Sequence, residues 1–281
     1  EEMHFKGLIF TDALNMKAAS NYRKPGEIDL EAFLAGNDIL LFPENVPIAF
    51  SKIKSAYESE IISEKRLAYS VKKILKYKFK AGLNHYKPVE IKNVYEDLNT
   101  PKNDALQYEL FENAITVLKN TEDILPIKNL ETNKIAYVKL GDDMNSSFVN
   151  TLKKYTEVTE VADEDIECLK EKLAVFNTVI VGFHKLDKAW KKDDFNEKEL
   201  AILQEIAKDH KVILDVFAKP YALNTITNFD NIEGVVVSYQ NSVISQVVSA
   251  QVIFGAVAAK GRVPVSINNN FKVNDGIDTQ K

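Results

Sequence analysis

Short apolar runs alternating with amphipathic stretches fill the chain from Ile135 to Tyr239, and this alternation constrains the fold more than any other feature of the sequence. IAYVKLG (Ile135 to Gly141), TVIVGFH (Thr178 to His184), VILDVFA (Val212 to Ala218) and GVVVSY (Gly234 to Tyr239) are too short for buried helices. They are rich in β-branched residues, so each reads as a strand covered on both faces. Between them helices are expected at Ser146 to Tyr155, Asp163 to Leu173 and Asn196 to Lys208, with a short strand at Val158 to Val161. Helices at Leu106 to Val117 and Ser245 to Phe254 flank the set. Apolar strands alternating with amphipathic helices predict an open, mostly parallel sheet with helices on both faces over residues 105–270.

Residues 1–84 carry the same alternation only twice. GLIF (Gly7 to Phe10) reads as a buried strand followed by Thr11 and Asp12, and DLEAFLAG as a helix closed by Gly36. DILLFP (Asp38 to Pro43) reads as a second strand stopped by proline, and Pro47 to Ser59 can be helical. Ser63 is the expected N-cap of a longer helix with the apolar stripe Leu67, Val71, Ile74, Leu75 and Phe79, ended by Gly82. Two parallel strands cannot cover both of their own faces. A (β/α)8 barrel takes about 250 residues, or about 31 per βα unit, so residues 1–84 have the size of its last two units. The chain is therefore expected to begin inside a larger protein. Residues 85–104, with Pro88 and Pro101, read as a linker, and 271–281 as a polar tail.

Composition removes several functions. Thirty-six Lys and Arg against 41 Asp and Glu leave a net charge of -5, without the basic excess of a nucleic-acid binder. No apolar run reaches the roughly 18 to 20 residues of a membrane span, and EEMHFKGLIF is acidic where a signal peptide is basic. The compartment stays open between periplasm and cytoplasm. The lone Cys168 forms no intrachain disulfide and reads as a packing residue in a helix. The nearest glycines, Gly255 and Gly261, are too far apart for GxGxxG, the P-loop or GxSxG. His4, His85, His184 and His210 form no HExxH, so no dedicated zinc site is expected.

In a βα barrel the reacting groups lie at the C-terminal ends of strands. Asp12 and Glu44 fall there. Taken alone, an Asp after a strand is a turn or cap residue, and a Glu just ahead of a helix favours the helix dipole. The wider string carries more. KGLIFTDALNMKAAS, FLAGNDILLFP, ENAITVLKNTEDILPI and QVIFGAVAAKGRVPVSI together resemble family 3 glycoside hydrolases in order and spacing, nearest to the β-N-acetylglucosaminidase branch. The resemblance implies that Asp12 is the nucleophile of an (S/T)D-x-L-x-M motif completed by Thr11, Leu14 and Met16, and that residues 1–84 are the seventh and eighth barrel units. It also implies that residues 105–270 are the family's α/β sandwich domain, and a retaining mechanism on a β-N-acetylglucosaminide with a second group about 5 to 5.5 Å away as acid/base; two protein groups and water suffice for that reaction, so no metal or cofactor is implied. In that branch the acid/base is a His-Asp dyad in a K-H-F-P-G-H-G-D-T type motif, which has no counterpart here, so the chain alone is expected to be inactive.

Met16, Glu44 and His184 are candidate substrate-binding residues, His184 against the plainer reading of a solvated loop histidine. Asp38, at a strand entrance, reads as structural. Tyr239 and Gln240 are weaker pocket candidates. Trp190 reads as a half-buried loop indole, and Lys191, Lys192, Asp193 and Asp194 as surface charge. The tail SINNNFKVNDGIDTQK resembles the stretch that joins some relatives to a serine β-lactamase-like domain. That domain, or the missing barrel half, is an expected partner. Two other functions fit the sequence: β-glucosidase or β-xylosidase activity on the same scaffold, and a non-catalytic α/β module that binds carbohydrate or a partner chain.

Overall fold

The computed structural model describes residues 5–187 and 192–280, which fall into two compact units, Glu1–Lys92 and Asn93–Lys281. In the first, β1 (Phe10–Ala13) and β2 (Ile39–Leu41) pair in parallel. Around them lie α1 (Lys17–Ser20), α2 (Glu27–Leu34), α3 (Val46–Glu58) and α4 (Glu64–Lys80). Side chains start the two longer helices: Asn45 Oδ1 accepts from the Ile48 amide at 3.1 Å, and Ser63 Oγ from that of Arg66 at 3.2 Å. A small core of Phe33, Ala56 and Ile62, with Leu30, Leu40, Ile53 and Leu67 against it, joins the helices to β2.

Asp38 ties the entrance of this strand pair together. Its buried carboxylate accepts from the Ile9 amide at 3.0 Å, Ser70 Oγ at 2.5 Å and Lys73 Nζ at 2.5 Å. Burial alone would raise its pKa, but the bonds to Lys73, Ser70 and Ile9 outweigh it and hold the carboxyl below its ordinary value. Arg66 extends the clamp, donating to Ser70 Oγ and to the carbonyls of Phe33 and Asn37. One clamp thus joins β1, β2 and α4.

The second unit opens with α5 (Val94–Leu98) and α6 (Pro101–Ala114), so helices occupy part of the expected linker. A six-stranded sheet follows, in the order β3-β8-β7-β6-β4-β5. Its strands are β3 (Thr116–Asn120), β4 (Ile135–Gly141), β5 (Val158–Glu160), β6 (Thr178–His184), β7 (Lys211–Phe217) and β8 (Gly234–Val237). All neighbours are parallel except β3, which runs antiparallel to β8. The expected helix over Leu106 to Val117 therefore stops at Ala114, and Thr116 to Asn120 become an edge strand. The β-branched run ITVLK has no period of its own, and pairing with β8 decides it.

Both faces of the sheet are covered. On one, Val138, Val181, Leu214 and Val235 share a register row under α8 (Ile166–Leu173) and α9 (Glu197–Asp209). On the other, Tyr137, Ile180 and Ile213 pack under α7 (Ser146–Leu152) and α10 (Val243–Ile253). The expected tail is part of this body. Phe271 is in the core, the Ile277 amide donates to the Val117 carbonyl at 2.8 Å, and Thr279 Oγ1 accepts from the Ala259 amide at 2.8 Å. Its polar composition hid contacts that anchor an edge strand.

Gly141, at the end of β4, has φ 89°, and a Cβ there would stand 2.0 Å from the His184 carbonyl oxygen. Gly141→Ala should cost at least about 2 kcal/mol of stability in urea denaturation. Gly36→Ala should cost less, since Gly36 has φ 109° but open space around it.

Candidate active site

The strand that carries Asp12 starts three residues later than its apolar run suggests, so Asp12 lies within β1 and not behind it. Pairing runs from Phe10↔Ile39 to Ala13↔Leu41, three steps on β1 against two on β2. The extra residue is a β-bulge spanning Thr11 and Asp12, a device that re-aims a side chain at a strand end. Asp12 is exposed, and its Oδ1 accepts from the Ala13 amide at 2.7 Å. Thr11 Oγ1 accepts from the Leu41 amide at 2.8 Å, and the Leu14 amide donates to the Leu41 carbonyl at 3.0 Å. Leu14, in the motif's apolar position, is buried, whereas Met16 is 45% exposed. Glu44 is also exposed, two residues ahead of α3. Asp12, Met16 and Glu44 thus all lie on solvent-facing positions after or within the two strands.

His184 belongs elsewhere, and its reading as a solvated loop residue is corrected. It ends β6 with no exposed surface, its ring stacked on Phe217 at 4.3 Å. Nε2 lies 2.9 Å from Tyr137 Oη, and Nδ1 lies 2.7 Å from Asn241 Oδ1. Asn241 Nδ2 donates to Asp143 Oδ2 and the Met144 carbonyl, which fixes the amide. His184 therefore carries its proton on Nδ1 and accepts from Tyr137 on Nε2, and neither nitrogen is left for a ligand. Gly182 makes room: a Cβ there would stand 2.5 Å from His184 Nε2. Burial pushes the imidazole down to about 4, only partly offset by the Asn241 bond.

At the same edge a cleft of about 230 Å³ is lined by Lys185, Asp193, Phe217, Lys219, Tyr239 and Gln240, among others. Tyr239 adopts φ 62° and shares a 2.7 Å hydrogen bond with Thr116. Asp193 is no surface charge: its side chain is nine-tenths buried and pairs with Lys219 at 3.1 Å. Trp190 and Lys191 lie outside the described residues. Cys168 is exposed at the start of α8 and not packed, and the neighbouring Asp165 pushes its thiol up, away from nucleophilic character.

Residues 1–77 match the family model described as "Glycosyl hydrolase family 3 N terminal domain". Over 45% of this chain, a beta-N-acetylglucosaminidase/beta-glucosidase of Cellulomonas fimi is 24% identical. Residues 1–77 thus resemble the N-terminal domain of family 3 glycoside hydrolases. A relative from Formosa agariphila whose name carries a beta-xylosidase assignment is 23% identical over 95% of the chain. The chain spans 40% of that relative and 22% of the Cellulomonas protein. Among solved structures, a family 3 beta-N-acetylglucosaminidase from Paenibacillus sp. superposes with a TM-score of 0.72 at 21% identity, over 95% of this chain and 52% of its own. That likeness supports the mixed α/β fold.

One buried group went unread in the sequence. Asp215, inside the apolar VILDVFA run, is fully buried; its Oδ1 accepts from Ser238 Oγ at 2.7 Å and its Oδ2 from Ser249 Oγ at 2.5 Å. An acid in the middle of a two-faced strand was the available sign. Burial pushes its pKa up to about 7 against the opposing hydroxyl bonds.

Asp215 and His184 oppose each other in their effect on stability. From about pH 4 to about 6.5 the unfolded His184 holds a proton the folded one lacks, so its contribution grows as pH rises. From about pH 4 to about 7 the folded Asp215 holds a proton the unfolded one has lost, so its contribution shrinks as pH rises. Between about pH 4.5 and 6 the two slopes should cancel. In urea titrations Asp215→Asn should expose a rise with pH, and His184→Gln a fall, each of about 1.4 kcal/mol per pH unit. Parallel profiles for wild type and both variants would contradict the assignment.

Proposed function

We propose that the protein carrying this chain is an exo-acting glycosidase that releases terminal β-linked N-acetylglucosamine with retention of configuration, Asp12 being the nucleophile. Residues 1–84 then act as the last two units of a (β/α)8 barrel and 105–270 as the sandwich domain. The observation that carries this reading is the bulge in β1, which presents an exposed carboxylate, free of any ion pair among the described residues, at the end of a parallel strand. Such a group can attack an anomeric carbon and form a glycosyl-enzyme, while a separate acid protonates the leaving oxygen and then activates water. Met16 and Glu44, on the same unit, are the side chains proposed to meet the sugar. The exposed Ile9, Phe10, Leu41 and Phe42 fit a strand pair that other barrel strands would cover.

A β-xylosidase or β-glucosidase is the second reading, favoured by the names of the Formosa and Cellulomonas relatives. Chromogenic β-N-acetylglucosaminide, β-glucoside and β-xyloside separate the two. The complete enzyme should favour the first substrate, and residues 1–281 alone should turn over none. Asp12→Ala in the complete enzyme should abolish turnover without loss of fold by circular dichroism; near-normal rates would remove Asp12 from its role.

A further inference from the structure

The bulge creates an imbalance of backbone groups. With one extra residue on β1 between Phe10 and Ala13, the Leu41 amide meets a side chain and not a strand carbonyl. That side chain is the Thr11 hydroxyl, at 2.8 Å. On the far side of the bulge the Leu14 amide holds the Leu41 carbonyl at 3.0 Å. One residue of β2 is thus gripped through both its backbone groups, and Asp12 and Ala13 form an arch between the grips. Inside the arch the Ala13 amide holds Asp12 Oδ1, while Oδ2 has no hydrogen bond among the described residues.

We propose that Thr11 is a positioning residue for Asp12: its hydroxyl pins one foot of the arch to Leu41, so that Oδ1 is held by the backbone and Oδ2 is presented for attack. This rests on the reading of Asp12 as nucleophile. A position here needs an acceptor on a short, branched side chain that reaches across to β2. Serine supplies the acceptor; valine has the shape of threonine without it. Thr11 is half-buried and touches no substrate in this scheme, so its loss should act through the geometry of Asp12.

Two measurements test the assignment. In the 281-residue chain, Thr11→Val should speed hydrogen exchange of the Leu41 amide by NMR, and Thr11→Ser should leave it near wild type. In the complete enzyme, on whichever chromogenic β-glycoside it cleaves, Thr11→Val should lower kcat by up to about a hundredfold with little change in KM. Thr11→Ser should restore kcat, and Asp12→Ala is run alongside. Equal Leu41 exchange in all three chains overturns the proposal. So does a normal kcat for Thr11→Val, or an equal loss in Thr11→Ser, while Asp12→Ala is inactive. Activity surviving in Asp12→Ala instead overturns the nucleophile reading, and the exchange measurement then decides the pinning of Leu41 on its own.

Discussion

Parallel strands must be covered on both faces, because their connections run over the sheet and leave neither face to water. In the second unit the requirement is met in full: Val179 to Val181, Val212 to Leu214 and Val235 to Val237 have no exposed surface, and each face has its own helix pair. In the first unit the same kind of strand pair keeps Phe10 and Phe42 more than half exposed. What stability the first unit has at its strands comes from polar clamps, the Asp38 cluster at the entrance and the Leu41 grips at the exit, as much as from its small core.

Complete coverage has a consequence for polar groups. An open α/β sheet binds ligands at its C-terminal edge, at the point where strand order reverses. Here that point lies between β4 and β6. It is filled by the protein's own groups: His184, Tyr137, Asn145, Asn241 and Gln246 bond one another across it. A ligand would have to displace a satisfied network, which is costly where the groups are buried. A cleft opens further along the same edge, past the C-terminal ends of β7 and β8, and is shaped by Tyr239 and Lys219.

Much of this was legible in the residues, for stated reasons. The strands Ile135 to Gly141 and Thr178 to His184 are found at their expected ends, because apolar runs bounded by polar residues leave no alternative register. Ser63 caps its helix as expected, since the cap is a local bond. What failed was set by distant partners. Thr116 to Asn120 needed β8 to become a strand, the last eleven residues needed Val117 and Ala259, and β1 moved along the chain because Leu41 continues the pairing past Phe10. His184 and Asp215 share a cause: a polar residue within an apolar run can face solvent or a buried partner, and the run alone does not say which.

Two of the first unit's three aspartates, Asp12 and Asp38, show how one strand pair places the same side chain in opposite surroundings. At the entrance, Asp38 is buried against a lysine, a serine and an amide, and is held as a charged structural pin. Such a carboxylate is a poor nucleophile, its lone pairs committed to three donors. At the exit, Asp12 keeps a single backbone donor and, among the described residues, no cation. On the proposed reading of Asp12 as nucleophile, the group must be oriented without being neutralised, and a bond from the next residue's own amide does that: it fixes one oxygen and leaves the other without a hydrogen bond among the described residues. The bulge supplies that geometry. A regular pairing register would remove the extra residue that lets the Ala13 amide turn toward the side chain before it.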